Sequence, residues 1–422
     1  MIVPLLSQFA ECFSRPGFIH FQRFVLAYMG LMGMPHCVSE VQRLMGSYKQ
    51  QHWTTAYSFL SHGSFSCQAL SQKLLEMLLR LVGMPEELVI AVDDTLVKKV
   101  GKDFFGLGYY PDPTDKNPGA KKRKVLGHCW VVLALLVERG GRWFGFPLAA
   151  LLFVPLMACP KEWEFMSKVA LAAFLIQRFS WPAKRLIVLV DNLYAKGKLA
   201  FDLGLSQQVV MVSRLRSNAA LYELPKPPKK AKRGRPRLRG EKLSARQLYR
   251  RRSQHQQLKV TIYGKTLTLK AFVGTLMPSR TLGSQPIQVI IFPQRSGKLN
   301  IFFSTDLSMS PERILELYAA RFKIEDIFDE VKTTGGFADC RQRSFPALKR
   351  HATLTLLAHS LLRLLSITLP NAQAIETVPW WQPKGPPSVT RLRRAVLKSL
   401  NISAGLPFYR KPAKIRAENI AA

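Results

Sequence analysis

The chain has 422 residues, enough for two or three domains and a sizeable core, and its 47% hydrophobic content excludes a disordered protein. Lys and Arg number 62 against 27 Asp and Glu, a formal net charge of +35 that repels itself in a compact fold unless a polyanion neutralises it. Nucleic acid is therefore the leading partner and an anionic membrane surface the weaker one. The apolar runs 129–137 and 146–158 are too short to span a bilayer, and the N-terminus lacks a secretory leader pattern. Cys12, Cys37, Cys67, Cys129, Cys159 and Cys340 have no CxxC spacing, which argues against a disulfide framework or zinc site and fits a reducing cytoplasm.

Residues 1–84 read as a helical domain of short helices broken at 61–66, with Arg43, Lys49, His52, Trp53 and Tyr57 giving it a basic, aromatic character. That composition suits DNA binding; the alternative is a helical cap that only packs on the next domain. Residues 85–213 read as a first α/β part. Its run 88–92 (LVIAV) is β-branched and fully apolar, the mark of a buried strand, and it delivers Asp93, Asp94 and Thr95. Strands at 125–137 and 142–154 come next, joined at Gly140-Gly141. A helix is expected at 162–179, then a buried strand at 185–190 that ends at Asp191, a helix at 196–203 and a strand at 209–213. This order predicts an α/β sheet of mixed direction. His128, inside an apolar strand, reads as a core histidine. Lys121, Lys122 and Arg123, in the loop after Asp94, read as phosphate contacts or a solvated cluster.

Residues 214–305 read as a basic, mainly β insertion. From residue 214 to 270 there are 18 Lys/Arg against Glu223 and Glu241. Strand-like patterns lie at 258–273, 287–292 and 299–304. Within the Pro- and Lys-rich first half, Arg233-Gly234-Arg235-Pro236 resembles an AT-hook core, which lays its arginines in a narrow A·T minor groove; a non-specific phosphate tether is the alternative. Residues 306–370 return to the core. They include a long apolar helix at 345–369, and residues 371–422 form a basic tail that reads from residue 379 as a mobile arm.

One stretch organises these parts. Residues 311–332 read as one helix on which Tyr318, Arg321, Glu325 and Lys332 fall, at about 100° per residue, within an arc of roughly 60°. Leu317, Ile324, Phe328 and Val331 form the neighbouring apolar face. Taken alone this is an amphipathic surface helix. With Asp94 and Asp191 at the carboxyl ends of two strands, where α/β sheets place ligands, a third carboxylate suggests a cation site for phosphoryl transfer.

Tyr318-x2-Arg321-x3-Glu325-x6-Lys332 resembles the YREK signature of DDE transposases from bacterial insertion sequences. AVDDT at 91–95 and LVDN at 189–192 resemble that family's two aspartate motifs, and the likeness runs from about residue 88 to 345. The resemblance implies a ribonuclease H-like catalytic core interrupted by a β insertion. It implies that Asp94, Asp191 and Glu325 bind two Mg²⁺ ions, with Mn²⁺ as a substitute, and that Tyr318, Arg321 and Lys332 grip DNA. It also implies cut-and-paste transposition by a nucleoid-associated cytoplasmic enzyme, acting on terminal inverted repeats and target DNA, dimeric in its synaptic complex and with no membrane partner. Asp94 is preferred to Asp93 because the family's aspartate directly precedes a Thr or similar residue; Asp329 is a rival to Glu325. Relatives often carry a Trp in the insertion for the hairpin step. This chain has none between residues 182 and 379, leaving Tyr263 or Phe272 as substitutes, or another excision route. The alternatives are a metal-dependent nuclease of the same fold without strand transfer, and a transposase-derived DNA-binding protein that has lost catalysis.

Overall fold

The computed structural model describes residues 2–47, 51–112, 115, 123–206, 208–225, 237–279, 282–294, 296–369 and 386–403. The apolar run after residue 87 becomes β1 (Glu87–Lys98). It lies antiparallel to β3 (Lys124–Arg139) and parallel to β5 (Arg185–Val190), in register from Glu87↔Arg185 to Val92↔Val190. β2 (Gly108–Pro111) and β4 (Arg142–Phe153) flank β3, and β6 (Val209–Leu215) lies parallel to β5. Gly140 and Gly141, at φ 59° and 70°, make the two-residue β3–β4 turn expected of consecutive left-handed residues.

Alternation along β1 and β5 sorts their side chains into two cores. Among the described residues, the α-helices before residue 251 are α1 (Ile2–Ser7), α2 (Arg15–Gly30), α3 (Val38–Leu44), α4 (Thr54–His62), α5 (Cys67–Val82), α6 (Lys168–Gln177), α7 (Gly197–Asp202) and α8 (Ala245–Arg250). Leu88, Ile90, Val92, Leu186, Val188 and Val190 face a core shared with α2, α5 and α6. Val89, Ala91, Ile187 and Leu189 face the opposite core, beneath α9 (Pro311–Ala320) and α10 (Lys323–Thr333). The fold is thus a mixed α/β sandwich, consistent with a ribonuclease H-like core. α11 (Phe345–Thr368) contributes Leu348, Ala352 and Leu356 to the second core and Leu354, Leu357 and Leu361 to the first. No helix among the described residues is long and apolar enough to cross a membrane.

Three features differ from the sequence-based reading: the stretch 311–332, the strand at 258–273 and the arm beyond residue 379. The stretch 311–332 is two helices, because the chain tightens at Arg321 and Phe322. There the N–H groups of Phe322, Ile324 and Glu325 reach carbonyls three residues back rather than four.

The strands of the mainly β segment 214–305 extend the core sheet. β12 (Leu299–Ser304) pairs β6, and the order runs β2-β3-β1-β5-β6-β12-β11-β10-β7-β8. Here β7 is Leu221–Tyr222, β8 Lys242–Leu243, β10 Lys265–Pro278 and β11 Ile287–Pro293. The strand expected at 258–273 is a hairpin of β9 (His255–Ile262) and β10, turning at Tyr263 and Gly264 with φ 53° and 75°.

The N-terminal helices share the first core with the sheet, so Phe24, Tyr28 and Leu78 are buried in the same cluster as Ile90 and Leu133. Finally, α12 (Val389–Ser403) falls within the stretch expected to be a mobile arm, and buries Val389, Leu392, Val396 and Leu400 in that core. It runs so close to α2 that a Cβ on Gly30 would stand 3.0 Å from Leu400 Cδ1.

Candidate active site

β1 and β5 run side by side, and their ladder ends at Val92↔Val190. Asp93 and Asp191 are the next residues on each. Continuing the alternation, both belong to the face covered by α9 and α10. Asp93 Oδ2 accepts a 2.8 Å hydrogen bond from Arg321 Nη1, and Arg321 Nη2 donates to Glu325 Oε1 at 2.7 Å. Burial pushes the Asp93 carboxyl up to about 7; Arg321 opposes that rise and Asp191 adds to it. Asp191 Oδ1 accepts from the backbone N–H groups of Leu193 at 2.7 Å and Tyr194 at 3.3 Å.

Arg321 joins the two sides because it stands at the tightened turn. Its guanidinium is buried and lies over the rings of Tyr318 and Phe322, 5.4 and 5.1 Å from their centroids. Tyr318 is itself buried, packed edge-on against Phe302 at 4.8 Å. Burial raises its phenol, while Arg321 and Arg214 oppose the rise. Glu325 is exposed on the first turn of α10. Lys332 lies two turns on, about 10 Å along the axis. Its ammonium is pushed down by burial, with Asp329 opposing.

Asp94, expected to join Asp191 and Glu325, faces the other way. Its Oδ2 accepts from Lys168 Nζ at 2.6 Å and Cys129 Sγ at 3.2 Å, and its Oδ1 from the Tyr194 hydroxyl at 2.9 Å. The structure therefore joins Asp93 to Glu325 through Arg321, sets the Asp191 charge near Asp93, and leaves Asp94 on the opposite face. The adjacent pair in AVDDT signalled that one aspartate faces each way. Arg214, on the sequence-distant strand β6, carried no motif that would have linked it to Tyr318.

Other candidates fall elsewhere. Arg233, Arg235, Lys121 and Lys122 lie outside the described residues, and Arg123 is exposed. Of the two aromatics in the insertion, Phe272 is buried. Tyr263 is exposed at the hairpin tip, where its hydroxyl donates to the Ala319 carbonyl at 3.3 Å. His128 is a core histidine: its Nε2 donates to the Phe105 carbonyl at 2.9 Å, and burial lowers it to about 4.

Three carboxylates are the donor type that a hard divalent cation takes. Asp93 also has the charge deficit that such an ion relieves, since burial and Asp191 both disfavour its ionised form. In this geometry the guanidinium of Arg321 fills that electrostatic role, and among the described residues no three His, Cys, Asp or Glu side chains stand close enough to share an ion. The donor chemistry fits a cation, with Arg321 standing between two of the donors.

Among solved structures, the chain is similar to a chain of the piggyBac transposase synaptic complex with hairpin DNA. Identity is 11% and the TM-score 0.43, over 94% of this chain and 74% of that one. No curated protein sequence matches it. A sequence model of the DDE superfamily endonucleases matches residues 8–271, more than half of the chain, taking in Asp93, Asp94 and Asp191 and ending before Glu325. The chain belongs to the DDE superfamily endonuclease family.

Proposed function

We propose that the chain is a DNA transposase that cleaves DNA at the ends of a mobile element and joins the freed 3′-hydroxyls to target DNA. The observation that carries this reading is the placement of Asp93 and Asp191 one residue beyond the last paired residues of the parallel strands β1 and β5, with Arg321 joining Asp93 to Glu325 from the helix pair above. Asp93, Asp191 and Glu325 would hold the divalent metal, Mg²⁺ or Mn²⁺ and two ions by resemblance. When bound, the metal activates the attacking hydroxyl or water and stabilises the leaving oxygen. Asp94, the first ligand by motif, gives way to Asp93 in this reading because Lys168 and Tyr194 hold its carboxylate on the far face.

The chain's own residues supply the rest. The buried guanidinium of Arg321 orients Asp93 and Glu325 through one hydrogen bond each. Tyr318 stiffens that guanidinium by lying beneath it. Lys332, Arg214 and the basic residues beyond β6 attract the phosphates of the scissile strand, which positions DNA without reading its sequence. Synapsis of two element ends implies a dimer on DNA, in the cytoplasm at the nucleoid.

The family's own description is that of an endonuclease, which favours one second reading: a nuclease that cuts without joining. A strand-transfer assay with Mg²⁺, oligonucleotides bearing the element's terminal repeats and a plasmid target separates the two. Joined product is the expected result. Cleavage with no joined product demotes the chain to a nuclease, and no cleavage at all removes the enzymatic reading.

A further inference from the structure

The backbone ladder between β1 and β5 stops one residue short of the two aspartates, so hydrogen bonds between the strands do not fix Asp191 relative to Asp93. Side chains on the opposite face of the sheet link the two strands. Tyr194 belongs to the turn that Asp191 opens. Its N–H reaches both the Asp191 carbonyl, at 3.2 Å, and Asp191 Oδ1, at 3.3 Å. The Tyr194 ring is fully buried, and its hydroxyl donates to Asp94 Oδ1 at 2.9 Å, back on β1. Asp94 is in turn anchored by Lys168, at the start of α6, whose ammonium lies 5.9 and 5.7 Å from the ring centres of Tyr110 and Phe153.

A continuous path thus runs from Lys168 through Asp94 and the Tyr194 hydroxyl to the Asp191 carboxylate. It ties the turn after β5 back to β1 from behind the site. An unanchored turn would let the Asp191 carboxylate swing away from Asp93, because only its own local backbone bonds would hold it.

We propose that Asp94 and Tyr194 are positioning residues that set the reach of the Asp191 carboxylate toward Asp93, and so the affinity of the carboxylate site for a divalent cation. This rests on the reading of Asp93 and Asp191 as metal ligands. In the AVDDT sequence one aspartate then serves as ligand and its neighbour as brace.

The test uses the full-length chain and Mn²⁺ as the probe, with binding followed by electron paramagnetic resonance without DNA and the fold followed by thermal melting. Tyr194→Phe keeps the buried ring and removes only the hydroxyl. It is expected to melt within a few degrees of wild type and to bind Mn²⁺ on the order of 10-fold more weakly, the usual scale for groups that orient ligands. Its cleavage defect is expected to recover as Mn²⁺ is raised. Asp94→Asn, which retains an oxygen acceptor for the hydroxyl, is expected to lose less Mn²⁺ affinity than Asp94→Ala. Equal Mn²⁺ affinity in wild type and Tyr194→Phe overturns the positioning role while leaving the metal site standing. A Tyr194→Phe chain that is unfolded at the assay temperature also overturns it, because the hydroxyl then serves the fold. A folded wild-type chain that binds no Mn²⁺ overturns the metal-site reading itself, and the inference with it.

Discussion

Asp93 and Asp94 are neighbours in sequence and opposites in environment. Asp93 shares a buried guanidinium with Glu325, whereas Asp94 is held by an ammonium, a phenol and a thiol. Alternation along a strand made it legible that only one of them faces the site. Which one was not legible, because the deciding partner, Arg321, lies 228 positions away. Asp93→Asn is nearly isosteric and, in the proposed site, removes a ligand charge. It should lower metal-dependent cleavage by on the order of 100-fold or more while DNA affinity, read by fluorescence anisotropy, stays near wild type. Asp94→Asn should cost less, and the reverse ranking of the two variants would return the ligand role to Asp94. The four polar residues of the signature could be read from spacing alone. The burial of Tyr318 and Arg321 could not, since it depends on Phe302 and on β1 beneath them.

Two elements carry the lesson at the next scale. Residues 311–332 have an unbroken helical pattern, and nothing in the composition marks the tightening at Arg321 and Phe322, which contains neither Gly nor Pro. Packing dictates it: Ile314, Leu317, Ile324 and Ile327 are all buried against the sheet, and the turn between the two helices delivers Arg321 inward. α12 shows the converse. Its many arginines suggested a solvated arm, yet Val389, Leu392, Val396 and Leu400 recur at helical spacing and meet α2 and α11. The charge masked the stripe, and Arg393 is buried with it, its Nη1 donating to the Tyr28 carbonyl. Leu392→Ala should therefore destabilise the whole fold by about 2–5 kcal/mol in urea denaturation, as deletion of a buried leucine does. A change below about 0.5 kcal/mol would mean that α12 is not part of the core.

At the scale of the whole molecule, buried histidines and net charge set the response to solvent. His351 accepts from the Tyr28 hydroxyl at Nδ1 and donates from Nε2 to the Gly336 carbonyl, and burial lowers it to about 4. Burial also holds His359 well below its usual range. In the unfolded chain both take up a proton near pH 6.5, whereas the folded chain refuses it. Between about pH 6.5 and pH 4 the unfolded state therefore binds more protons, and stability falls on acidification by about 1.4 kcal/mol per pH unit for each histidine. The melting temperature should drop from pH 7.5 to pH 5.0, and His351→Gln should flatten that drop.

The charge of +35 governs the response to salt. If DNA binding rests on six or more phosphate contacts, log affinity should fall against log salt with a slope of about −5 or steeper, and a flat line would contradict an electrostatic grip. Composition made this legible. The path of the charge through the fold was not, because the pattern of the basic insertion does not say that its strands continue the central sheet.

That continuity makes the sheet a ruler. Four strand spacings separate β5, which leads to Asp191, from β10 in the basic half. At about 4.8 Å each they span roughly 19 Å, the rise of five to six steps along one strand of duplex DNA at 3.4 Å per step. The strands from β5 to β10 are hydrogen-bonded in an unbroken series, so in the proposed function the offset between the cut and any DNA contact beside β10 is set by strand count. Changing it would require adding or deleting a whole strand, because lengthening a loop leaves the spacing untouched.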